Sequence, residues 1–137
     1  MDYQKMADFR NTHNPHSQRL GVFVEEIGPG WARATKTVEE QDLNPNETAH
    51  GGIYFTLADT ACGSAMSSHG YFAVTLDASY HYFRSAKAGD VLTATAKELK
   101  GGKTVCVFEV QVTDQNNTLL GTGTFTFYRL DKPILLD

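Results

Sequence analysis

The sequence has few cysteines and no long hydrophobic run, and both shortages exclude whole classes of protein. Its only cysteines, Cys62 and Cys106, stand alone without a CxxC pairing. We expect both to be free thiols that behave as small buried hydrophobic residues, as in a reducing compartment. No stretch approaches the roughly 18 unbroken apolar residues of a membrane span. The charged N-terminus also lacks the apolar run of a signal peptide, so we expect a cytoplasmic protein.

Basic residues are too few for a general affinity for nucleic acid or anionic membranes. Lys and Arg number 12 against 16 Asp and Glu, which gives a formal net charge of -4 at pH 7. Binding to a phosphate backbone or to anionic lipid needs a surplus of positive charge. We therefore predict neither a nucleic-acid partner nor a membrane partner.

The chain instead carries several segments rich in valine, threonine and aromatic residues, a composition typical of β-strands. Residues 20–27 and 31–38 flank the turn Gly28–Gly30 and predict a β-hairpin. Four more strands are predicted, over residues 73–83, 90–99, 103–113 and 118–130. Because the intervening turns are short, we expect neighbouring strands to run antiparallel, and we expect residues 131–137 to extend past the last strand.

Helical patterns occur before the strands and between them. Apolar residues from Met1 to about Thr12 have the spacing of a short surface helix. Since no internal repeat or low-complexity tract divides the chain, we expect one domain over residues 1–137. It would consist of an N-terminal helical segment, 1–19, and a core, 20–130.

The central segment, about Gly51 to His69, is the only long helix predicted in an otherwise β chain. Small residues occupy much of its surface, namely Ala58, Ala61, Cys62, Gly63, Ser64 and Ala65. Small side chains let a curved sheet approach closely, so we predict an α+β fold in which a five- to six-stranded antiparallel sheet wraps around one helix. One helix covers only one face of such a sheet, which favours a homodimer and a dimer of dimers.

Asp59 interrupts this nearly apolar helix two turns after its start. An ionised carboxylate buried without partners costs several kcal/mol, which favours a functional role. His50, Gly51 and Gly52 lead into the helix, where N–H groups carry partial positive charge suited to an oxyanion. Asp59 lies on the order of 12 Å from Gly51 along the axis, too far to act on the same atom. In a dimer, Asp59 of one chain could serve the amide site of the other.

Three stretches together carry a family resemblance: "NPNETAHGGIYFTLADTACGSA", "VTLDASYHYFRSAKAGD" and "KGGKT". They resemble the hotdog-fold acyl-CoA thioesterases of the phenylacetyl-CoA and 4-hydroxybenzoyl-CoA type. The most specific shared feature is HGG followed at a fixed distance by an acidic helix residue, and the resemblance extends from about Leu20 to Tyr128. It implies a hotdog fold, active sites shared across a dimer, and hydrolysis of an aryl or medium-chain acyl-CoA.

The resemblance also assigns roles to individual residues. It implies that the Gly51 N–H polarises the thioester carbonyl and that Asp59 of the other subunit acts as general base or as nucleophile. Asn44 corresponds to an asparagine that holds the attacking water or substrate, and Thr75 to a residue that orients it. His50 is expected to support the loop and its hydrogen bonds.

Coenzyme A carries phosphates, so an acidic protein needs local positive charge to bind its nucleotide. Arg84, Lys87 and Lys103 lie at predicted strand ends and turns, where they could supply that charge. Gly52 permits close approach of the substrate to the backbone. No cofactor is predicted, because coenzyme A is part of the substrate.

Two other functions are compatible with the predicted fold. A hotdog dehydratase acting on acyl thioesters also uses a histidine and a carboxylate, but its histidine lies further from the acidic helix residue than His50 does from Asp59. A module that binds acyl-CoA without hydrolysing it would not need Asn44, Asp59 and Thr75 together. The histidines show no HExxH and no cysteine partner at ligand spacing, so no metal is predicted.

Overall fold

The computed structural model describes residues 1–137 and contains three α-helices, a short 3-10 helix and one six-stranded sheet. The helices are α1 (Tyr3–Thr12), α2 (Pro15–Leu20) and α3 (Gly51–Ser67), and the 3-10 helix spans Glu40–Asp42. The strands are β1 (Phe23–Gly28), β2 (Trp31–Thr37), β3 (Tyr71–Tyr82), β4 (Val91–Gly101), β5 (Val105–Thr113) and β6 (Leu119–Pro133). None of the helices combines the length and apolar character needed to cross a membrane.

The strands form one antiparallel sheet in the order β1-β2-β4-β5-β6-β3. The predicted hairpin is confirmed, with Gly28 opposite Trp31. The expectation that β3 and β4 are neighbours is wrong, because β3 pairs with β6 and β4 pairs with β2. The segment between them is tied to the start of α3, where the Ala86 N–H donates to Tyr54 Oη over 2.8 Å. It therefore crosses the sheet instead of making a tight turn.

Alternating side chains of β2, β4 and β5 face α3. Their buried residues are Ala32, Ala34, Lys36, Leu92, Ala94, Ala96, Cys106, Phe108, Val110 and Val112. The small alanines on β2 and β4 let the sheet curve closely around the helix. This arrangement confirms the predicted fold of a sheet wrapped around one central helix.

Helix α3 is buried on most of its surface, including Ala58, Ala61 and Cys62. The buried hydroxyl of Ser64 donates to the Thr60 carbonyl over 2.7 Å, so it adds no unpaired polar group to the core. The helix ends at Ser67, two residues earlier than predicted at His69, because Gly70 has a φ of 87 and turns the chain. Both cysteines are free and buried, as expected.

The N-terminal segment contains a second helix, and the predicted strand start at Leu20 is wrong. Leu20 ends α2, whose first turn is capped by the Asn14 side chain and begins with Pro15. Gly21, with a φ of 72, closes the helix in the left-handed conformation. The signals for this helix are local: an asparagine at the N-cap, a proline at the first helical position and a glycine that ends the helix. They outweigh the strand-like composition of the residues that follow.

The last strand continues beyond its predicted end at Leu130. β6 extends to Pro133 because β3 supplies a partner as far as Tyr71, which lies opposite Pro133. The Ile134 N–H then donates to the Gly70 carbonyl over 2.8 Å. Residues 131–133 are thus part of the sheet and not a tail.

The two edges of the sheet differ. α1 packs at the β1 edge, where Asn11 donates to the Val24 carbonyl and accepts from its N–H at 2.9 and 2.8 Å. The β3 edge is uncovered and carries apolar side chains, with Val74 46% and Leu76 56% exposed. Such an edge offers unpaired backbone groups to another strand.

Candidate active site

Asp59 and Thr75 meet in a pocket between α3 and the β3 edge. The Thr75 hydroxyl donates a hydrogen bond to Asp59 Oδ1 over 2.8 Å. Both residues line a cavity of about 140 Å³, together with Arg10, Gly63 and Phe127. The carboxylate that interrupts the apolar helix therefore has a polar partner and access to a pocket.

Burial raises the pKa of the Asp59 carboxyl above its ordinary value. Two neighbours oppose this effect: the hydrogen bond from Thr75 and the positive charge of Arg10 both lower that pKa, but burial is the larger cause. A carboxyl with a raised pKa is a stronger base than an exposed aspartate, and it can accept a proton from water more readily.

The first backbone N–H of α3 has no partner within the chain. His50 caps the helix, since its Nδ1 accepts from the Gly52 N–H over 2.9 Å and its carbonyl accepts from the Ile53 N–H over 2.9 Å. The Gly51 N–H lies between these two and donates no hydrogen bond within the chain. Tyr82 Oη donates to the Gly51 carbonyl over 2.9 Å and holds this turn against β3.

The loop before α3 is held by Asn44 and by a buried ion pair. Asn44 Oδ1 accepts from the N–H of Asn46 and Thr48 at 2.9 and 3.2 Å, so its carboxamide oxygen folds the loop on itself. Lys36 Nζ lies 2.8 Å from Asp42 Oδ2, and both side chains are almost fully buried. The Asp42 carbonyl accepts from the His50 N–H over 2.8 Å, which connects this ion pair to the first turn of α3.

Within one chain, the predicted site residues form two separate groups. Asn44, His50, Gly51 and Gly52 surround the start of α3, and none of them lines the Asp59 pocket. Asp59 follows Gly51 by eight positions, about 12 Å along the helix axis. The structure brings Thr75 to Asp59 and His50 to Gly52, but it does not bring the two groups together in a single chain.

The three basic residues predicted to bind the CoA nucleotide are exposed and also divided. Arg84 follows β3, and its N–H donates to the Leu120 carbonyl at the end of the sheet nearest the α3 start. The Lys87 ammonium has no hydrogen-bond or ion-pair partner, whereas the Lys87 backbone N–H donates to Asp90 Oδ2 over 2.9 Å. Lys103 lies in the β4–β5 turn beside Arg129, at the opposite end of the sheet.

Arg10 is a pocket residue that the sequence patterns above did not single out. It lies in the last turn of α1 and faces Gly63 of α3. The signal that would have identified it is helical spacing: Arg10 follows Met6 by one turn and Tyr3 by two, so it belongs to the apolar face of α1. A charged residue on a buried helix face is rare without a partner or a function.

A second polar cluster lies near the other end of α3, where atoms of His69, Glu98 and Cys106 are within 4.8 Å of one another. Hydrogen bonds account for this cluster: His69 Nε2 bonds to Glu98 Oε1, and the Cys106 thiol donates to the Gly102 carbonyl over 3.2 Å. Burial, followed by the charge of Glu98, raises the pKa of Cys106 and keeps the thiol protonated. The expectation that the chain needs no metal stays a prediction.

A six-stranded antiparallel sheet wrapped around one central helix is the hotdog fold, and solved thioesterases share it with this chain. The chain belongs to the Thioesterase superfamily, whose family profile matches residues 46–120. It is accordingly a thioester hydrolase, as its relatives are named.

Three relatives illustrate the similarity, and one of them, PaaI of Escherichia coli, matches both in sequence and in solved structure. The acyl-coenzyme A thioesterase PaaI of Escherichia coli K12 is 37% identical over 99 residues, which cover 72% of this chain and 71% of PaaI. The solved E. coli PaaI protein from the phenylacetic acid degradation operon superimposes with a TM-score of 0.88 and 30% identity over 97% of this chain and 99% of that one. Human acyl-coenzyme A thioesterase 13 is 33% identical over 108 residues, covering 77% of each chain. A hypothetical thioesterase protein of Streptococcus pneumoniae TIGR4, solved with coenzyme A, gives a TM-score of 0.78 and 33% identity over 82% of this chain and 88% of that one.

Proposed function

We propose that the chain is an acyl-CoA thioesterase that hydrolyses an aryl or medium-chain acyl-CoA to the free acid and coenzyme A. The observation that carries this proposal is the hydrogen-bonded Asp59 carboxylate in a pocket of the same helix whose first N–H, that of Gly51, is unpaired. A base or nucleophile and an oxyanion donor are the groups that ester hydrolysis needs. The names of the E. coli and human relatives and the coenzyme A in the S. pneumoniae structure support the substrate class.

The Gly51 N–H polarises the thioester carbonyl. Attack turns the carbonyl oxygen into an oxyanion, and the positive end of the α3 dipole favours negative charge at this position. One preorganised donor of this kind contributes about 3 kcal/mol to transition-state stabilisation. Because the N–H has no partner within the chain, it gives up no hydrogen bond when it binds the carbonyl.

Asp59 supplies the carboxylate that drives the attack. Its Oδ1 is held by Thr75, which leaves Oδ2 to deprotonate a water or to attack the carbonyl directly. Label found in the protein after a single turnover in oxygen-18 water would identify direct attack by Asp59. A general base sends the label only to the released acid, whereas an anhydride formed on Asp59 and opened at the aspartyl carbonyl leaves label in the protein.

The two halves of the site belong to different subunits of a homodimer. This assignment is supported by their separation along α3 and by the uncovered β3 edge, which carries Val74 and Leu76 next to Thr75. A second copy that pairs at this edge lays its own helix start beside the Asp59 pocket. Further pairing of such dimers through the outer face of the sheet gives the dimer of dimers.

The CoA nucleotide binds to basic residues near the site entrance. Arg84, Lys87 and Lys103 are exposed and free to contact phosphate oxygens, and Arg84 and Lys87 follow the strand that holds the α3 start. Lys103 joins them only from the partner subunit, because it lies at the opposite end of its own sheet. Asn44 is not part of this basic group: it holds the attacking water or the substrate through Nδ2, since its Oδ1 accepts hydrogen bonds from the loop.

The proposal is tested by thiol release from a panel of acyl-CoAs with purified wild-type protein and the Asp59→Asn variant. We expect Asp59→Asn to lower hydrolysis by at least about a hundredfold, as loss of a general base should, while light scattering shows the same oligomer. Asp8→Asn, the same substitution at an exposed helix carboxylate, is the matched control and should keep full activity.

Other outcomes of the same panel would contradict the proposal. Hydration of an enoyl-CoA without thiol release would identify a dehydratase. Tight binding without turnover would identify a binding module, and full hydrolysis by Asp59→Asn would place the chemistry elsewhere.

A further inference from the structure

The guanidinium of Arg10 has no partner within the protein. Arg10 takes part in none of the ion pairs of the chain, and its Nε is buried without a hydrogen bond. An arginine side chain carries five N–H donors and keeps its charge at neutral pH. Burying the Nε donor without an acceptor costs free energy, and a ligand in the pocket that supplies acceptors to the guanidinium explains the arrangement best.

Arg10 is held in place before any ligand binds. Its neighbour Asn11 forms two hydrogen bonds with Val24 that attach α1 to β1. On the other side, the Arg10 Nη2 lies only 3.0 Å from the position that a Cβ of Gly63 would occupy. The absence of a side chain at Gly63 therefore lets the guanidinium lie directly against α3.

This position relates Arg10 to the reacting end of the substrate. Gly63 follows Asp59 by one helical turn, about 6 Å along α3 in the direction away from Gly51. With the thioester carbonyl at Asp59, the acyl group extends along the pocket towards the guanidinium. Arg10 and Asp59 interact through their charges but form no ion pair, so the guanidinium N–H groups are available to the far end of the acyl group.

The remaining lining of the pocket is mixed. Phe127 and Ala73 offer apolar surface, and the polar side chains of Asn14, Thr60 and Ser67 already take part in hydrogen bonds within the chain. An acyl group that is apolar to its end would cover the guanidinium without pairing it. An acyl group with an apolar middle and an anionic end pairs the charge and packs against the ring.

We propose that Arg10 forms a subsite for a carboxylate at the far end of the acyl group, so that the substrates include monothioesters of short dicarboxylic acids. A guanidinium fork binds a carboxylate through two parallel hydrogen bonds, which gives both affinity and orientation. The subsite rests on the proposed acyl-CoA hydrolysis and adds acyl groups with an anionic end to the aryl and medium-chain groups named there.

The test compares two acyl-CoAs of the same shape at one pH well above the pKa of Asp59. Glutaryl-CoA ends in a carboxylate, and 5-methylhexanoyl-CoA carries two methyl groups in place of the carboxylate oxygens. We expect wild-type kcat/KM to favour glutaryl-CoA, and Arg10→Gln to reduce that preference by about thirtyfold, as for loss of one partner of a buried charge pair. Because any effect that Arg10 exerts through Asp59 falls on both substrates, the ratio of the two kcat/KM values reports the subsite alone.

Two further variants test whether the preference for glutaryl-CoA depends on the shape and position of the guanidinium. Arg10→Lys keeps the charge without the fork and should retain part of the preference. Gly63→Ala leaves every charge in place but displaces the guanidinium, and it should lower the preference without a comparable change in thermal stability.

The outcomes separate the subsite from the proposed function. A wild-type preference for the neutral acyl group, or an equal loss on both substrates in Arg10→Gln, would overturn the subsite and leave acyl-CoA hydrolysis standing. No hydrolysis of either substrate or of the wider acyl-CoA panel would overturn the proposed function, and the subsite with it.

Discussion

In the proposed mechanism Asp59 is the reacting carboxylate, and its neighbours determine the pH at which it can act. Burial raises its pKa, whereas Thr75 and Arg10 lower it. The carboxylate acts only when ionised, so hydrolysis is lost as the pH falls through the pKa of Asp59. Because that pKa is raised, we expect the acid limb of the pH–rate profile at a higher pH than for an exposed aspartate.

Thr75 affects this limb through its single hydrogen bond. Thr75→Ala removes a donor that stabilises the ionised carboxylate, so the pKa of Asp59 rises further and the acid limb of kcat moves to higher pH. We expect the variant to lose more activity in acid than on the alkaline plateau, as measured by kcat from low to high pH. Thr75→Ser keeps a hydroxyl and should keep the wild-type profile, and an unchanged limb in Thr75→Ala would mean that Asp59 does not set it.

The sequence alone indicated the functional importance of some pocket residues and not of others. Asp59 was predictable, because a carboxylate in an apolar helix contradicts the local pattern. Arg10 was not singled out, because the weak stripe of α1 made a surface helix the simpler interpretation. Only the packing of α1 against α3 shows that the arginine points into a pocket.

At the scale of the element, the first turn of α3 bears most on the proposed function. Gly51 is the first helical residue after the His50 cap, a position where proline is well tolerated because its missing N–H has no helical partner. His50 has a φ of -60 and a ψ of 139, which suits the residue before a proline. The N–H of Gly51 can therefore be deleted without breaking the helix.

Gly51→Pro and Gly51→Ala form a matched pair on this point. Both add a Cβ, which would lie 3.4 Å from the nearest atoms of the Tyr82 ring, but only proline removes the N–H. We expect Gly51→Pro to have a kcat about 10²–10³-fold below that of Gly51→Ala, the usual cost of losing one oxyanion donor. Circular dichroism and thermal melts should show the same fold, and equal kcat values for the pair would exclude the Gly51 amide as the donor.

Elements also differed in predictability. α3 and the hairpin followed from composition and spacing, because each is determined by residues close in sequence. The position of β3 at the sheet edge did not, since the short segment after it resembles a hairpin turn. Its actual path depends on Ala86 and Tyr54, which are distant in sequence and meet only in the folded chain.

At the scale of the whole molecule, the proposed active site is complete only in a dimer. Co-expression of Asp59→Asn with Gly51→Pro tests this directly, because each variant is inactive by itself but carries the half that the other lacks. A mixed dimer regains one intact site, so a random mixture should recover about a quarter of wild-type activity for a two-fold symmetric pair. Activity no higher than that of the separate variants would place both groups within one chain.

The sequence by itself determined the elements and the chemical groups of this protein: one apolar helix, strands of alternating character, a carboxylate in the helix and glycines at its start. These follow from periodicity and from residues near one another along the chain. Only the tertiary structure decided that β3 is an edge strand and that Arg10 lies unpaired beside Gly63. It also decided the pKa of Asp59, because burial raises that pKa by more than Thr75 and Arg10 lower it. Desolvation and pairing depend on which distant residues pack together, and no local pattern contains that information.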